Sequence, residues 1–272
     1  MCKLIKKIFL YFFVFVVFSF FVWIAYLVLG GRDPVILMYH SVGESLEKES
    51  ILNVSEEVFS KQMAFLRQGG YHVISLLELA QMIEDHKRIP FKTVVITFDD
   101  GYENNYTIAY PILKKYQFPA TIFMVVDYIG QSRQIRGHEY RFLDKKMLLE
   151  MAREGLMAIG AHTRSHPYLP DIKDGHMLDE EVVASKKDLE AILKEPVNTF
   201  AYPVGGYSAE VIQCVRKAGY HVAVTTLPLK KDLNRFNLFA LKRIKMTEKV
   251  DNPFVFFIET SGYYVRMKEM SR

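Results

Sequence analysis

From Val35 onward the chain alternates short β-branched runs with helical stretches, and this alternation restricts the possible folds more than any other feature. Val35-Ile36-Leu37-Met38-Tyr39 reads as a strand, and residues 56–68 read as a helix closed by Gly69-Gly70. His72 to Ile74 reads as a strand, with Ser75 and Glu78 forming a capping box for a helix running towards Asp85. Val94 to Phe98 is the clearest strand, followed by a helical stretch over 106–116 and a strand over 121–126. Asp144 caps a helix ending at Gly155, Met157 to Ala161 is a short buried strand, and a charged helix spans 178–194. Thr199 to Tyr202 is a strand and helix 209–218 stops at Gly219. His221 to Thr225 and Phe239 to Lys245 are late strands, and Asn252-Pro253 opens a last helix as cap and first-turn proline. Such βα alternation without a Gly-rich phosphate loop leaves a parallel barrel or a doubly wound sheet, and the barrel is expected. Either architecture gathers its chemistry at the C-terminal ends of strands.

The first thirty or so residues differ in kind. Ile8 to Leu29 carries no charge, and its 22 residues extend roughly 33 Å as a helix, close to the roughly 30 Å core of a bilayer. A cleaved signal needs an apolar stretch of only about 7–15 residues and a small-residue cleavage site, so an uncleaved transmembrane helix is expected instead. A soluble core helix of this length would show a polar face. Lys3, Lys6 and Lys7 precede the span and only Arg32 follows it closely, which places the N-terminus in the cytoplasm and the body outside a single-pass cell membrane anchor. The chain therefore divides into a tail and anchor, 1–32, and one large α/β domain, 33–272, ample for a sizeable core.

Those four charges account for the whole positive excess: of 35 basic residues, 31 lie beyond Arg32, against 31 acidic ones. A neutral body offers no basic face to phosphates, which argues against nucleic-acid binding. Cys2 and Cys214 stand on opposite sides of the span, so no internal disulfide is expected, and Cys214 reads as a buried helical thiol.

Three segments carry candidate chemistry. Thr97-Phe98-Asp99-Asp100-Gly101 puts two adjacent carboxylates at a strand end, where one can bind a metal while its neighbour takes a proton from water. The plainer alternative is an Asp-Gly turn capping a helix. His162-Thr163-Arg164-Ser165-His166, before Pro167, sets two imidazoles four residues apart, able to join one carboxylate around an ion with positions left open. The alternative is two surface histidines. Phe200-Ala201-Tyr202-Pro203-Val204-Gly205-Gly206 ends a strand in a turn whose nearest plausible oxyanion donor is the Val204 amide, since Pro203 has no N–H.

In order and approximate separation, these segments resemble the first three motifs of the polysaccharide deacetylases of carbohydrate esterase family 4, the group with the NodB-type domain. The stretches 34–40, 59–79 and 119–123 resemble family members too, so the likeness covers essentially the whole body. The opening with Tyr39-His40 is similar to the branch acting on poly-N-acetylglucosamine. The resemblance implies a distorted (β/α)7 barrel, with Asp99 as general base and Asp100, His162 and His166 holding a divalent metal, zinc. Two departures stand out: Ala201 occupies the place of an arginine that orients the base, and Leu241-Lys242-Arg243-Ile244 lacks the fifth motif's histidine acid. Arg243 is the expected substitute for the arginine and His40 the expected proton donor. The fourth motif is indistinct around Thr225-Thr226-Leu227-Pro228. The aromatic-rich span 102–116 reads as helix core, and His138, His176 and His221 as surface or packing residues. The expected activity is metal-dependent removal of acetyl groups from N-acetylglucosamine units of an acetylated extracellular polysaccharide, whether poly-N-acetylglucosamine, peptidoglycan or a chitin-like chain. The alternatives are a non-catalytic carbohydrate-binding barrel and an O-deacetylase of another glycan.

Overall fold

The computed structural model describes residues 2–30, 34–44, 52–135, 137–226, 236–262 and 264; within 2–30 it describes the side chains of Lys7 and of 9–22. Helix α1 (Cys2–Gly30) is followed by strand β1 (Val35–Tyr39) and a short parallel pair, β2 (Ser41–Val42) and β3 (Asn53–Val54). Next come α2 (Glu56–Gln68), β4 (His72–Val73), α3 (Leu76–Glu84), β5 (Thr93–Phe98), α4 (Tyr110–Tyr116) and β6 (Ala120–Met124). An antiparallel hairpin, β7 (Ser132–Ile135) and β8 (His138–Arg141), precedes α5 (Lys145–Glu154) and β9 (Met157–Ala161). The remainder comprises α6 (Gly175–Asp179), α7 (Ser185–Leu193), β10 (Thr199–Ala201), α8 (Ala209–Lys217), β11 (Val222–Thr226), β12 (Leu241–Lys245) and α9 (Pro253–Thr260).

Seven strands close on themselves in the order β1-β5-β6-β9-β10-β11-β12, each pair parallel, while β4 joins only the first residues of β5. This is the expected seven-strand α/β barrel. Every residue of β5 and β6 is buried, as parallel strands covered on both faces require. Alternate residues from around the ring, among them Ile36, Val95, Phe123, Ala201, Val224 and Leu241, form one interior cluster shared with Leu76, Leu79 and Ala80 of α3. The opposite residues pack outward against the helices in a second, larger cluster. Helix starts follow local chemistry: Ser55, Ser75, Asp144 and Ser208 each cap with a side-chain oxygen accepting an amide three residues on.

Three features depart from the sequence reading. The helix over 106–116 opens as a π segment, Asn105–Ala109, because Pro111 has no N–H to give and the turn ahead of it widens. The helix over 178–194 begins earlier, at Gly175 behind the Asp174 cap, and contains a second π segment, Glu180–Ala184. The β7–β8 hairpin is mostly exposed and polar, so it carries no alternating apolar signal.

Along α1 the described side chains from Phe9 to Val22 are exposed, Val17 only partly. Among the described residues no helix is long and apolar enough to cross a membrane, so the spanning reading of Ile8 to Leu29 is not carried by the structure. Cys214 is buried on α8, its thiol donating to Asp179 Oδ1 at 3.4 Å. The side chain of Cys2 lies outside the described residues.

Candidate active site

Strand β5 delivers the two carboxylates to the C-terminal mouth of the barrel and then turns sharply. The Asp99 amide still donates to Tyr39 O at 2.9 Å, extending the ladder with β1. Asp100 and Gly101 then take φ of 68° and 78°, so the neighbouring side chains part company. A Cβ on Gly101 would lie 2.0 Å from Met124 Sδ, so a larger residue there would have to displace the end of that side chain as well as bear the positive φ.

Asp99 points into the barrel, where Arg243 grips it in a two-pronged pair: Nη1 donates to Oδ1 at 2.6 Å and Nη2 to Oδ2 at 2.7 Å. Both side chains are buried, Arg243 completely. The guanidinium is itself fixed, with Nε donating to Thr225 O and Nη1 to Thr97 Oγ1, each at 3.2 Å. Burial by itself would raise the Asp99 pKa, but the charge of Arg243, then that of His162, and the Arg243 hydrogen bonds hold it well below the usual carboxylate range. Asp99 is therefore ionised near pH 7. Arg243 lies on β12, two strands along the ring from Ala201 in β10.

Asp100 faces the two histidines. Its Oδ1 lies 3.6 Å from His162 Nε2 and 3.5 Å from His166 Nε2, and one ligand atom from each residue falls within 4.8 Å of the others. His162 Nδ1 is 2.8 Å from the Ala201 carbonyl. A carbonyl can only accept, so Nδ1 carries the proton and Nε2 turns its lone pair towards Asp100. Burial first, and the nearby His166, push the His162 pKa down to about 4 against the opposing pull of Asp99 and Asp100, so the ring is neutral near pH 7. Asp100 Oδ1 is buried without a hydrogen-bond partner. Spacings of 3.5–3.6 Å are long for hydrogen bonds, yet ligand atoms about 2.1 Å from a tetrahedral ion lie about 3.4 Å apart. The donor set, its spacing and the orphaned oxygen fit a divalent cation.

The other expected residues lie at the same mouth in different ways. His40 follows β1, partly exposed, with Nδ1 buried and unpartnered. Burial lowers its pKa while the charges of Asp100 and Asp99 pull it up, so it shares their field without belonging to the Asp-His-His group. Val204 stands in the turn after β10 with φ 55° and ψ 11°, a strained conformation for a β-branched residue. That turn closes through Gly205 N to Tyr202 O and Gly206 N to Pro203 O, and the Val204 amide takes part in neither bond. Thr225 Oγ1 donates to Gly205 O at 2.7 Å, tying the turn to β11. Leu227 and Pro228 lie outside the described residues.

Two neighbours escaped the sequence reading. Tyr102, read as helix core, is buried; burial first and then the charge of Asp100 raise its phenol pKa strongly. Its ring stacks on Phe142 and meets Tyr140 edge-on at centroid distances of 5.0 and 5.5 Å, so the hairpin walls Asp100 on that side. Lys245, half-buried, feels Asp99 and Asp100 while burial lowers its pKa. It follows Arg243 by two residues on β12, hence on the same face, and that period was the available signal.

The sequence matches the family described as "Polysaccharide deacetylase" over residues 86–223. It is 35% identical over 212 residues to YxkH of Bacillus subtilis, whose name places it among the polysaccharide deacetylases; the match spans 78% of this chain and 71% of that protein. It is 32% identical over 174 residues to the poly-beta-1,6-N-acetyl-D-glucosamine N-deacetylase of Staphylococcus aureus, spanning 61% of this chain and 59% of that one. Among solved structures, the Streptococcus pyogenes deacetylase PplD in complex with acetate superposes with a TM-score of 0.72 at 26% identity, covering 83% of this chain and 96% of that chain.

Proposed function

The chain belongs to the polysaccharide deacetylase family, and from that premise we propose that it is a metal-dependent hydrolase removing acetyl groups from N-acetylglucosamine units of a polysaccharide outside the cell. The supporting observation is the pairing of an ionised, Arg243-held Asp99 with a three-ligand group whose carboxylate oxygen has no other partner. Asp100, His162 and His166 would hold the cation, zinc being suited to that donor set. When bound, it polarises the acetyl carbonyl and lowers the pKa of water at the site.

The chain's own groups divide the remaining work. Asp99 keeps lone pairs free although both oxygens accept from Arg243, and it takes the proton of the attacking water as that oxygen bonds to the acetyl carbon. The Val204 amide is the proposed donor to the oxyanion. His40 protonates the leaving amine as the C–N bond breaks, releasing acetate. Burial lowers the His40 pKa, so it must first receive a proton, and Asp99, which has just accepted one, is the source within its field. The amide substrate and the polymer follow the Staphylococcus aureus relative's printed name; peptidoglycan and chitin-like chains present the same reacting group.

Residues 1–32 would form the tail and membrane anchor, and 33–272 the catalytic domain on the outer side. A second reading, a barrel that binds glycan without turnover, draws on the missing histidine in Leu241 to Ile244. The deciding experiment uses the full chain in detergent with poly-N-acetylglucosamine. Acetate release that disappears on chelation and in Asp99→Asn is expected. Undiminished release after metal removal would sink the hydrolase as described, and metal and glycan binding with no acetate from any of these polymers would favour the silent barrel.

A further inference from the structure

The loop bearing both histidines is clasped from outside by one carboxylate. Glu181 Oε2 accepts from the backbone amides of Arg164 and Ser165, each at 2.9 Å, and Oε1 accepts from the Ser165 hydroxyl at 2.6 Å. These donors sit midway between His162 and His166. The loop needs such support, because Thr163 and His166 adopt φ of 66° and 68°, which cost energy in residues with a side chain. Within the loop, His166 N donates to Thr163 Oγ1 at 3.0 Å.

The two imidazoles are not equally fixed. His162 is buried, bonded through Nδ1 to Ala201 O and through its amide to Met124 O at 2.8 Å. His166, at the far end of the loop, has a side chain 26% exposed, and its position follows that of the backbone Glu181 holds. Glu181 lies in the π segment Glu180–Ala184, a widened turn of the kind often found beside functional sites. Its neighbour Glu180 accepts from Arg164 Nη1 at 2.9 Å, and Arg164 Nε lies 3.7 Å from Asp127 Oδ1, so the same loop is pinned at a second point.

We propose that Glu181 is a positioning residue that sets the affinity of the Asp100, His162 and His166 group for a divalent cation by clasping the loop that presents His166. This deepens the hydrolase reading and rests on it only for the presence of the cation. The clasp acts on ligand geometry, so its loss appears as weakened metal binding in a protein that remains folded.

The test is the dissociation constant of Zn2+ for the full chain in detergent, measured by competition with a chromophoric chelator. The visible spectrum of the Co2+ form and the melting temperature of the metal-free protein accompany it. Glu181→Gln keeps the size but offers one acceptor oxygen where two now serve three donors. It should weaken Zn2+ binding about 10- to 100-fold, the usual range for groups that orient metal ligands, and alter the Co2+ bands. Ser165→Ala removes a single bond and should weaken binding by less. Wild-type Zn2+ affinity in both Glu181→Gln and Glu181→Ala, whatever their melting temperatures, would reduce Glu181 to loop packing and overturn the proposal. A wild-type chain that takes up neither Zn2+ nor Co2+ would overturn it as well. Should the wild type bind Zn2+ tightly and Glu181→Gln weakly while neither releases acetate, the clasp stands and the hydrolase reading falls.

Discussion

Asp99 and Arg243 form a pair 144 residues apart in sequence that lies wholly within the barrel. Neither partner can be removed without stranding the other in a dry interior, where an unpaired buried charge costs about 3–5 kcal/mol. Arg243→Met should therefore lower the midpoint of urea unfolding by a comparable stability loss, and it should also change the chemistry. With the guanidinium gone, burial is the dominant influence on Asp99 and raises its pKa. The acid limb of the kcat/KM profile then moves to higher pH. For stability the sign is that of a depressed carboxylate: the wild-type pair contributes fully above the unfolded value of about 3.9, and the contribution is lost as pH falls through the lower folded value. Arg243→Lys should rescue only partly, since an ammonium cannot reproduce the fork. An unmoved acid limb in Arg243→Met would contradict this account. The candidate residues Asp99, Asp100, His162 and His166 were legible because motif and strand end coincide. Tyr102 and Lys245 were not, since their parts in the mouth depend on the tertiary closure of the hairpin and of β12.

Strands were the most legible elements, because each buried run of the barrel is a short β-branched or apolar segment with a turn signal at its end. The π segments were hidden, since periodicity alone does not separate a widened turn from an α-helical one over five residues. The strand ends share one device: the chain leaves β5, β9 and β10 through residues of positive φ, Asp100, Thr163 and Val204. At Val204 this conformation is least natural, and the residue is 67% exposed, so it contributes little packing. What the site would use there is the backbone amide, whose direction the turn sets. Val204→Gly should therefore keep acetate release within a few-fold of wild type. It should leave stability unchanged or raise it by up to about 1 kcal/mol, since strain of about 1–3 kcal/mol is relieved against the larger chain entropy of glycine. Thermal melts and initial rates on the same preparation decide it. A large rate loss with normal stability would show that the isopropyl group, not the amide, does the work.

At the scale of the whole molecule, parallel closure fixes which way the mouth faces. All seven barrel strands run in one sense, so Asp99, His162, Val204 and His40 collect at their C-terminal ends, while β1 starts at Val35 on the opposite end. Only four residues separate Gly30, the last of α1, from Val35, a link of at most about 18 Å when fully extended. An anchor joined so closely would bring the bilayer to the N-terminal end of the strands and turn the mouth outwards, towards a polymer in the surrounding medium or wall. In such an anchor the lysines at 3, 6 and 7 would set the direction of insertion. Alkaline phosphatase fused after Arg272 should therefore be active in expressing bacteria, and the full chain should stay with membranes through a carbonate wash. Protease added to spheroplasts should reach the body. Changing Lys3, Lys6 and Lys7 to Glu should lower phosphatase activity by weakening the charge bias that retains the N-terminus inside. A fusion that is inactive yet stable, or a chain recovered intact in the soluble fraction, would remove both the anchor and the outward-facing mouth while leaving the chemistry of the barrel untouched.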